Sequence, residues 1–212
     1  MFEGMLQTIT QPKPFFERLR EDDALVSRAI WVVLLISVVS AGAGYFSSLP
    51  TASVMGENSL LGSVTIYAAA FGFVIVTFMT WLITGLLVRI TAGIDVKPWA
   101  IVGYALSPYL LVYVLFMVLA AVFPVTLPEL NVSPDDPAAF GAALEEAQTL
   151  YAQSIYARLT QGLSYLVTLW WVVLIFIGVD AAAGRNKAFL TAGIVGLVNL
   201  AFIALPFLLQ PV

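Results

Sequence analysis

Neither cysteine nor histidine occurs among the 212 residues. Their absence excludes thiol nucleophiles, disulfides, Cys/His zinc sites, His-based triads and imidazole proton relays together. Charge is scarce as well: 10% of the residues are charged, nine of them basic, and the net charge is −4. A chain so poor in lysine and arginine carries no electrostatic footprint for nucleic acid. Apolar residues instead make up 61% and mean hydropathy is +0.97, against about 45–50% apolar and about 25% charged in soluble domains. A soluble globule of this size cannot hide so much apolar side chain. Composition therefore predicts an integral membrane protein.

A hydrocarbon core of about 30 Å takes about 20 apolar residues in an α-helix. Five stretches qualify: roughly 29–49, 60–88, 99–125, 159–179 and 188–209, none with a charge in its middle. The predicted architecture is all-α. A five-span helical bundle over 29–212 follows an amphipathic leader over 1–28, and a helical loop over 126–158 caps the outer face. Basic residues set the orientation. Lys13, Arg18, Arg20 and Arg28 precede the first span, Arg89 and Lys97 flank the second connection, and Arg185 and Lys187 lie in the fourth. Eight of the nine positive charges thus fall on one side, and only Arg158 on the other. The positive-inside rule places the N-terminus in the cytoplasm and the C-terminus outside. Ala41-Gly42-Ala43 offers small residues at a cleavage-like spacing. The leader before it is long and mixed in charge, however, and the apolar run has span length, so an uncleaved anchor is expected.

In the leader, Met1, Phe2, Met5, Leu6 and Ile9 recur at helical spacing, as for a short helix with one face in the headgroups. Pro12 and Pro14 interrupt it, and Phe15, Phe16 and Leu19 begin a second apolar face. The alternative is a frayed segment that merely precedes the first span. The leader's charge is nearly balanced, which argues against simple electrostatic capture by lipid and for contact with protein or folding back onto the bundle. Gly93 suits a helix C′ position and Pro98 the first turn of the third span. The outer loop is acidic and broken by prolines, with Glu57 in the shorter outer connection. Ser133-Pro134-Asp135-Asp136 reads as a helix start, after which Phe140, Leu144, Leu150, Ile155 and Leu159 fit an amphipathic helix running on into the fourth span.

Polar groups inside a membrane are the best pointers to function. Thr77, Thr80 and Thr84 share one face of the second span; their hydroxyls can bond their own helix, so the stripe serves packing or lines a path. Asn199 lies mid-span in the fifth helix, where its amide is expected to bond another helix, or else a ligand. Ser40/Gly44, Ala68/Gly72 and Ala192/Gly196 fit the small-xxx-small pattern of close helix approach. Arg89, Asp95, Lys97, Asp180, Arg185 and Lys187 gather at the cytoplasmic span ends, as a docking patch or simply where solvent begins. Trp170 and Trp171 fall at mid-depth, where at least one is expected inside the bundle. Paired intramembrane carboxylates, a deep lysine and Gly-rich phosphate loops are all missing, so no catalytic residue, metal or cofactor is expected.

The segment Gly103-Tyr104-Ala105-Leu106-Ser107-Pro108 resembles the motif that the Yip family, the Ypt/Rab-interacting membrane proteins, carries in its third span. Pro14-Phe15-Phe16-Glu17-Arg18-Leu19 is similar to the leader of bacterial members, and Ile90-Thr91-Ala92-Gly93 to their second connection. Trp171, Leu174, Gly178, Gly184 and Lys187-Ala188 are similar to the pattern joining their last two spans. The resemblance covers roughly residues 10–209 and implies five spans with the N-terminus inside. Eukaryotic members carry an Asp-Leu-Tyr-Gly-Pro type motif before the first span. Asp22-Asp23-Ala24-Leu25 does not match it, so Rab binding is not implied, and a bacterial cytoplasmic (inner) membrane protein is. Within the motif, Pro108 is expected to kink the span and free a carbonyl for Ser107 or a neighbouring helix to satisfy, with Tyr104 one turn before. The expected role is a non-enzymatic scaffold or interaction protein, with membrane lipid and a protein partner or second copy as its contacts and nucleic acid excluded. The rival is a small transporter or channel component using a polar path past the threonines, Tyr104 and Asn199.

Overall fold

The computed structural model describes residues 2–55, 59–128 and 137–208. Met1, Glu57 and the expected helix start at Ser133-Pro134-Asp135-Asp136 lie outside the described residues. Every regular element among the described residues is helical: α1 (Phe2–Thr10), α2 (Pro12–Glu21), α3 (Asp23–Val54), α4 (Leu60–Ala92), a 3-10 turn (Ile94–Val96), α5 (Pro98–Ala105), α6 (Ser107–Val122), α7 (Pro137–Gln153), α8 (Ile155–Ala183) and α9 (Arg185–Leu208). Four helical stretches are long and apolar enough to cross a membrane: α3, α4, α5 with α6, and α8. Only 22–33% of the most apolar part of each is buried inside the protein. Trp31, Phe71, Val76 and Leu166 are among the many apolar side chains that face outward. A water-facing surface does not carry apolar cover on that scale; a lipid-facing one does. The protein is an all-helical, multi-pass membrane protein.

The helix breaks follow from local chemistry. Glycine at positive φ ends α4 at Gly93 (φ 106°) and α8 at Gly184 (φ 87°). Their N–H groups close back on the carbonyls of Arg89 and Asp180 at 3.0 and 3.1 Å, satisfying acceptors that a helix end otherwise leaves open. Pro98 opens α5, where its missing N–H costs nothing. Pro108 lies just inside α6 and cannot donate to the carbonyl of Tyr104, so the third span breaks at Leu106 into α5 and α6. A further break at Ser154 separates α7 from α8; the Ser154 hydroxyl accepts the N–H of Ala157 at 3.1 Å, an N-cap.

The chain forms two compact units. One comprises Met1–Ile36, Phe78–Tyr109 and Val167–Val212, the other Ser37–Thr77 and Leu110–Leu166. In the second, a Cβ on Gly44 of α3 would lie 2.8 Å from the Ala69 carbonyl oxygen of α4. Side-chain-free backbone there lets two helices touch, as the Ser40/Gly44 pair predicts. Gly72 and Gly196, in contrast, have nothing within 4 Å of their Cβ positions, so small-residue spacing alone does not mark a contact. Also in this unit, α7 packs back on the end of α3. Ala147 joins Val54 and Leu127, and the Tyr151 hydroxyl donates to the Ser47 carbonyl at 3.4 Å. The inward line on α7 is Phe140, Leu144, Ala147 and Tyr151, while Leu150, Ile155 and Leu159 are exposed. Leu150 is off the inward line within α7 itself, and the helix is interrupted at Ser154 before Ile155 and Leu159.

The core of the first unit uses helical i, i+3, i+4, i+7 spacing. It draws on Ala29, Val32, Val33 and Ile36 of α3, Trp171, Leu174, Ile175 and Val179 of α8, and Ala188, Thr191 and Val195 of α9. Ala29 and Val33 of α3 pack against Gly103 of α5, and Gly178 of α8 against Ile101 of α5.

Candidate functional site

The segment Ala100–Pro108 is buried at every position. Nothing else in the described chain is buried so continuously. It is enclosed because α5 receives neighbours on several sides. A Cβ at Gly103 would come within 3.3 Å of the Ala29 carbonyl and the Val33 side chain of α3. One at Gly178 of α8 would reach Ile101 at 2.7 Å and Phe16 at 3.2 Å. Glycine at these two positions is what lets the helices and the leader meet.

The leader folds onto this segment. In α2, Pro12 starts the helix and Phe15, Phe16 and Leu19 are fully buried on one face, while Glu17, Arg18 and Arg20 remain exposed. Burying each such side chain contributes about 1.5–3 kcal/mol where the alternative is water. Phe15 meets Tyr104 edge-on, ring centroids 4.7 Å apart at 65°. In α1 the inward residues are Gly4, Met5 and Thr8, with Thr8 bonding the Gly4 carbonyl at 2.7 Å. A Cβ at Gly4 would lie 3.2 Å from the Tyr104 ring, so glycine permits the approach. Phe2 and Leu6, expected on the same face as Met5, are exposed at 65% and 63%. The leader thus presents apolar residues on two sides: one against α5, the other outward.

Polar contacts complete the attachment. The Tyr104 hydroxyl donates to the carbonyl of Leu25 at 3.2 Å, and an Arg18 guanidinium nitrogen donates to Gln7 at 2.6 Å, joining α2 to α1. Lys97 reaches the Arg20 carbonyl and Asp23, each at 2.9 Å. Its backbone occupies the left-handed region (φ 55°), which a lysine adopts at a cost of about 1–2 kcal/mol. Strain of this kind persists only where surroundings fix it, and the two contacts to the leader do so. Between α1, α2, the start of α3 and Tyr104 lies a cleft of about 600 Å³ with both signs of charge on its walls.

The remaining candidate residues are more dispersed. The Lys187 ammonium donates to the Ala92 carbonyl at 3.1 Å, a cation on a helix C-terminus. Arg89 stacks over Trp99, whose ring in turn presses on Gly85, and Arg185 over Phe189, each guanidinium 5.8 Å from the ring centroid. Asp95 is exposed and Asp180 half-buried. The four cations therefore hold separate local partners, and the six charges form no mutual network among the described residues. Thr77 is buried, bonding the Phe73 carbonyl of its own helix at 2.9 Å with Ser40 at 3.3 Å; Thr84 is buried and Thr80 half-buried. Ser107 is buried with its hydroxyl unpaired, so it does not satisfy the carbonyl freed by Pro108. Trp171 is fully buried and stands 6.3 Å from Tyr109, ring to ring, while Trp170 is 39% exposed.

Asn199 departs from expectation: its amide donates to the Val195 carbonyl of its own helix at 2.8 Å. A carbonyl four residues back is always within reach of such a side chain. The bond between helices is made instead by Thr91 and Thr191, 2.6 Å apart. Neither this pair nor Lys97–Asp23 leaves a signal in spacing, since the partners lie 100 and 74 residues apart.

No curated protein and no solved structure shows a significant match to the chain. The family model of the Yip1 domain matches residues 6–206, a stretch that includes α2, the whole buried α5 segment and the glycines on which they close. The chain belongs to the Yip1 domain family.

Proposed function

We propose that the protein is a non-enzymatic membrane scaffold of the bacterial cytoplasmic membrane. It crosses five times, α9 being the fifth span, with its N-terminus in the cytoplasm and α7 on the outer face. The observation that carries this reading is the docking of the leader on Ala100–Pro108. Internal apolar and polar partners occupy Phe15, Phe16, Leu19, Tyr104 and Lys97, while Asp95 and Arg185 stay exposed on the connections of the same unit. Such an arrangement offers a rigid, charged face to a protein partner or a second copy. The basic bias of that face supports the orientation.

Single cysteines at Ser59 and Asn186, in a chain that has none, test both parts. An impermeant maleimide is expected to label position 59 and not 186 in intact cells. A photo-crosslinker on position 186 in native membranes is expected to give protein adducts. Labelling at 186 overturns the orientation; adducts to lipid alone overturn the scaffold.

A further inference from the structure

The cleft beside the leader contains charge that the leader's attachment does not use. Four carboxylates and two guanidiniums line it. Three of the acids have tasks. Glu3 accepts from Gln7 at 3.0 Å, Asp22 caps α3 through the N–H of Ala24 at 2.8 Å, and Asp23 pairs with Lys97. Arg18 holds Gln7. Glu21 and Arg28 remain, and among the described residues neither side chain makes a hydrogen bond or ion pair. One anion and one cation thus face the same cavity without partners.

Their position identifies what could join them. Arg28 immediately precedes the apolar run of α3. Three residues along that helix Trp31 is 63% exposed, and Leu34, the next outward residue beside Trp31, is exposed too. A tryptophan one turn inside the apolar boundary marks the headgroup level. The cavity therefore opens where polar headgroups lie, and lipid-facing surface begins one turn along from the guanidinium. A ligand with a phosphate for Arg28, an ammonium for Glu21 and acyl chains for Trp31 and Leu34 matches all three features. Guanidinium–phosphate and ammonium–carboxylate contacts are both charge-assisted. An anionic headgroup fits poorly, because carboxylates outnumber guanidiniums on the walls. This agrees with the balanced charge of the leader.

We infer that the cleft binds the headgroup of a zwitterionic aminophospholipid, phosphate on Arg28 and ammonium on Glu21. The site requires only the membrane character of the chain, not the proposed orientation or scaffold role. A bilayer with the same composition in both leaflets therefore tests it separately.

The test uses the full chain in nanodiscs of equimolar phosphatidylethanolamine, phosphatidylcholine and phosphatidylglycerol, with co-released lipid counted by native mass spectrometry. Phosphatidylethanolamine is expected to be retained about tenfold over each of the others, the scale of one charge-assisted contact. Glu21→Gln is expected to abolish its advantage over phosphatidylcholine, whose quaternary amine has no N–H. Arg28→Gln is expected to lower retention of both. Melting curves check that each exposed substitution leaves the fold intact. Equal retention of the three lipids, or preference for phosphatidylglycerol, overturns the inference. So does displacement of bound lipid by soluble glycerophosphoethanolamine at matched concentration, which would make the cleft a site for a free polar molecule.

Discussion

Phe15 and Tyr104 meet edge to face with ring centroids 4.7 Å apart, and this pair joins the leader to the most continuously buried stretch among the described residues. The geometry is one in which aromatic pairs gain about 0.5–1.5 kcal/mol beyond the area they bury. Tyr104 serves twice, since its hydroxyl also holds the Leu25 carbonyl. The leader is therefore fixed at its middle and at its junction with α3.

Loosening that contact should free the leader before it harms the spans. Phe15→Ala removes a fully buried ring, a change that typically costs about 3–5 kcal/mol. Trypsin cleavage after Arg18 and Arg20 in nanodiscs is expected to accelerate by about tenfold or more. Phe2→Ala, at an exposed site, is expected to leave the rate within about twofold. Equal acceleration in both variants would show that the leader is not held through Phe15.

Two glycines of the same sequence pattern should respond differently. Gly44→Ala forces a methyl against the Ala69 carbonyl and is expected to cost about 1–3 kcal/mol of stability in detergent. Gly72→Ala meets open space and is expected to change stability by less than about 0.5 kcal/mol. Similar melting temperatures for the two variants would refute the close approach of α3 and α4.

The polar residues of α9 allow a similar comparison. Thr191→Val deletes the 2.6 Å bond to Thr91 and is expected to lower stability by about 0.6–2 kcal/mol, the scale of an interhelical hydrogen bond in a membrane. Asn199→Leu removes only a bond within its own helix and is expected to have less effect than about 0.5 kcal/mol. A larger loss for Asn199→Leu would place a second partner at its amide.

Long apolar runs, the glycine and proline joints and the Gly103–Pro108 segment were all legible in the sequence, because each is a local property of a few adjacent residues. Which side of a helix faces inward was not. In water, periodicity separates apolar from polar sides, and the apolar side is the buried one. Around a membrane both sides are apolar, and in the leader Met5 and Phe2, three residues apart on one apolar face, look alike though one is enclosed and the other exposed. The same ambiguity hid the difference between Gly44 and Gly72. Lys97 was legible as a charge at a span end, but its partner Asp23 was not, because nothing local connects them. Asn199 misled for another reason: its amide has a carbonyl of its own helix within reach, which composition cannot rank against a neighbour's.

The folded-back leader also bears on the order in which the protein is made. The ribosome produces α1 and α2 well before α8, yet their docking surface includes Gly178 of α8 as well as Tyr104 of α5. Phe15, Phe16 and Leu19 therefore lack part of their packing surface while α3 to α8 are synthesised and inserted. During that interval they are exposed apolar groups of the kind that chaperones and insertion machinery hold. The contact of Phe16 with Gly178 forms only when α8 is in place, so full docking of the leader reports that the helices up to α8 have assembled.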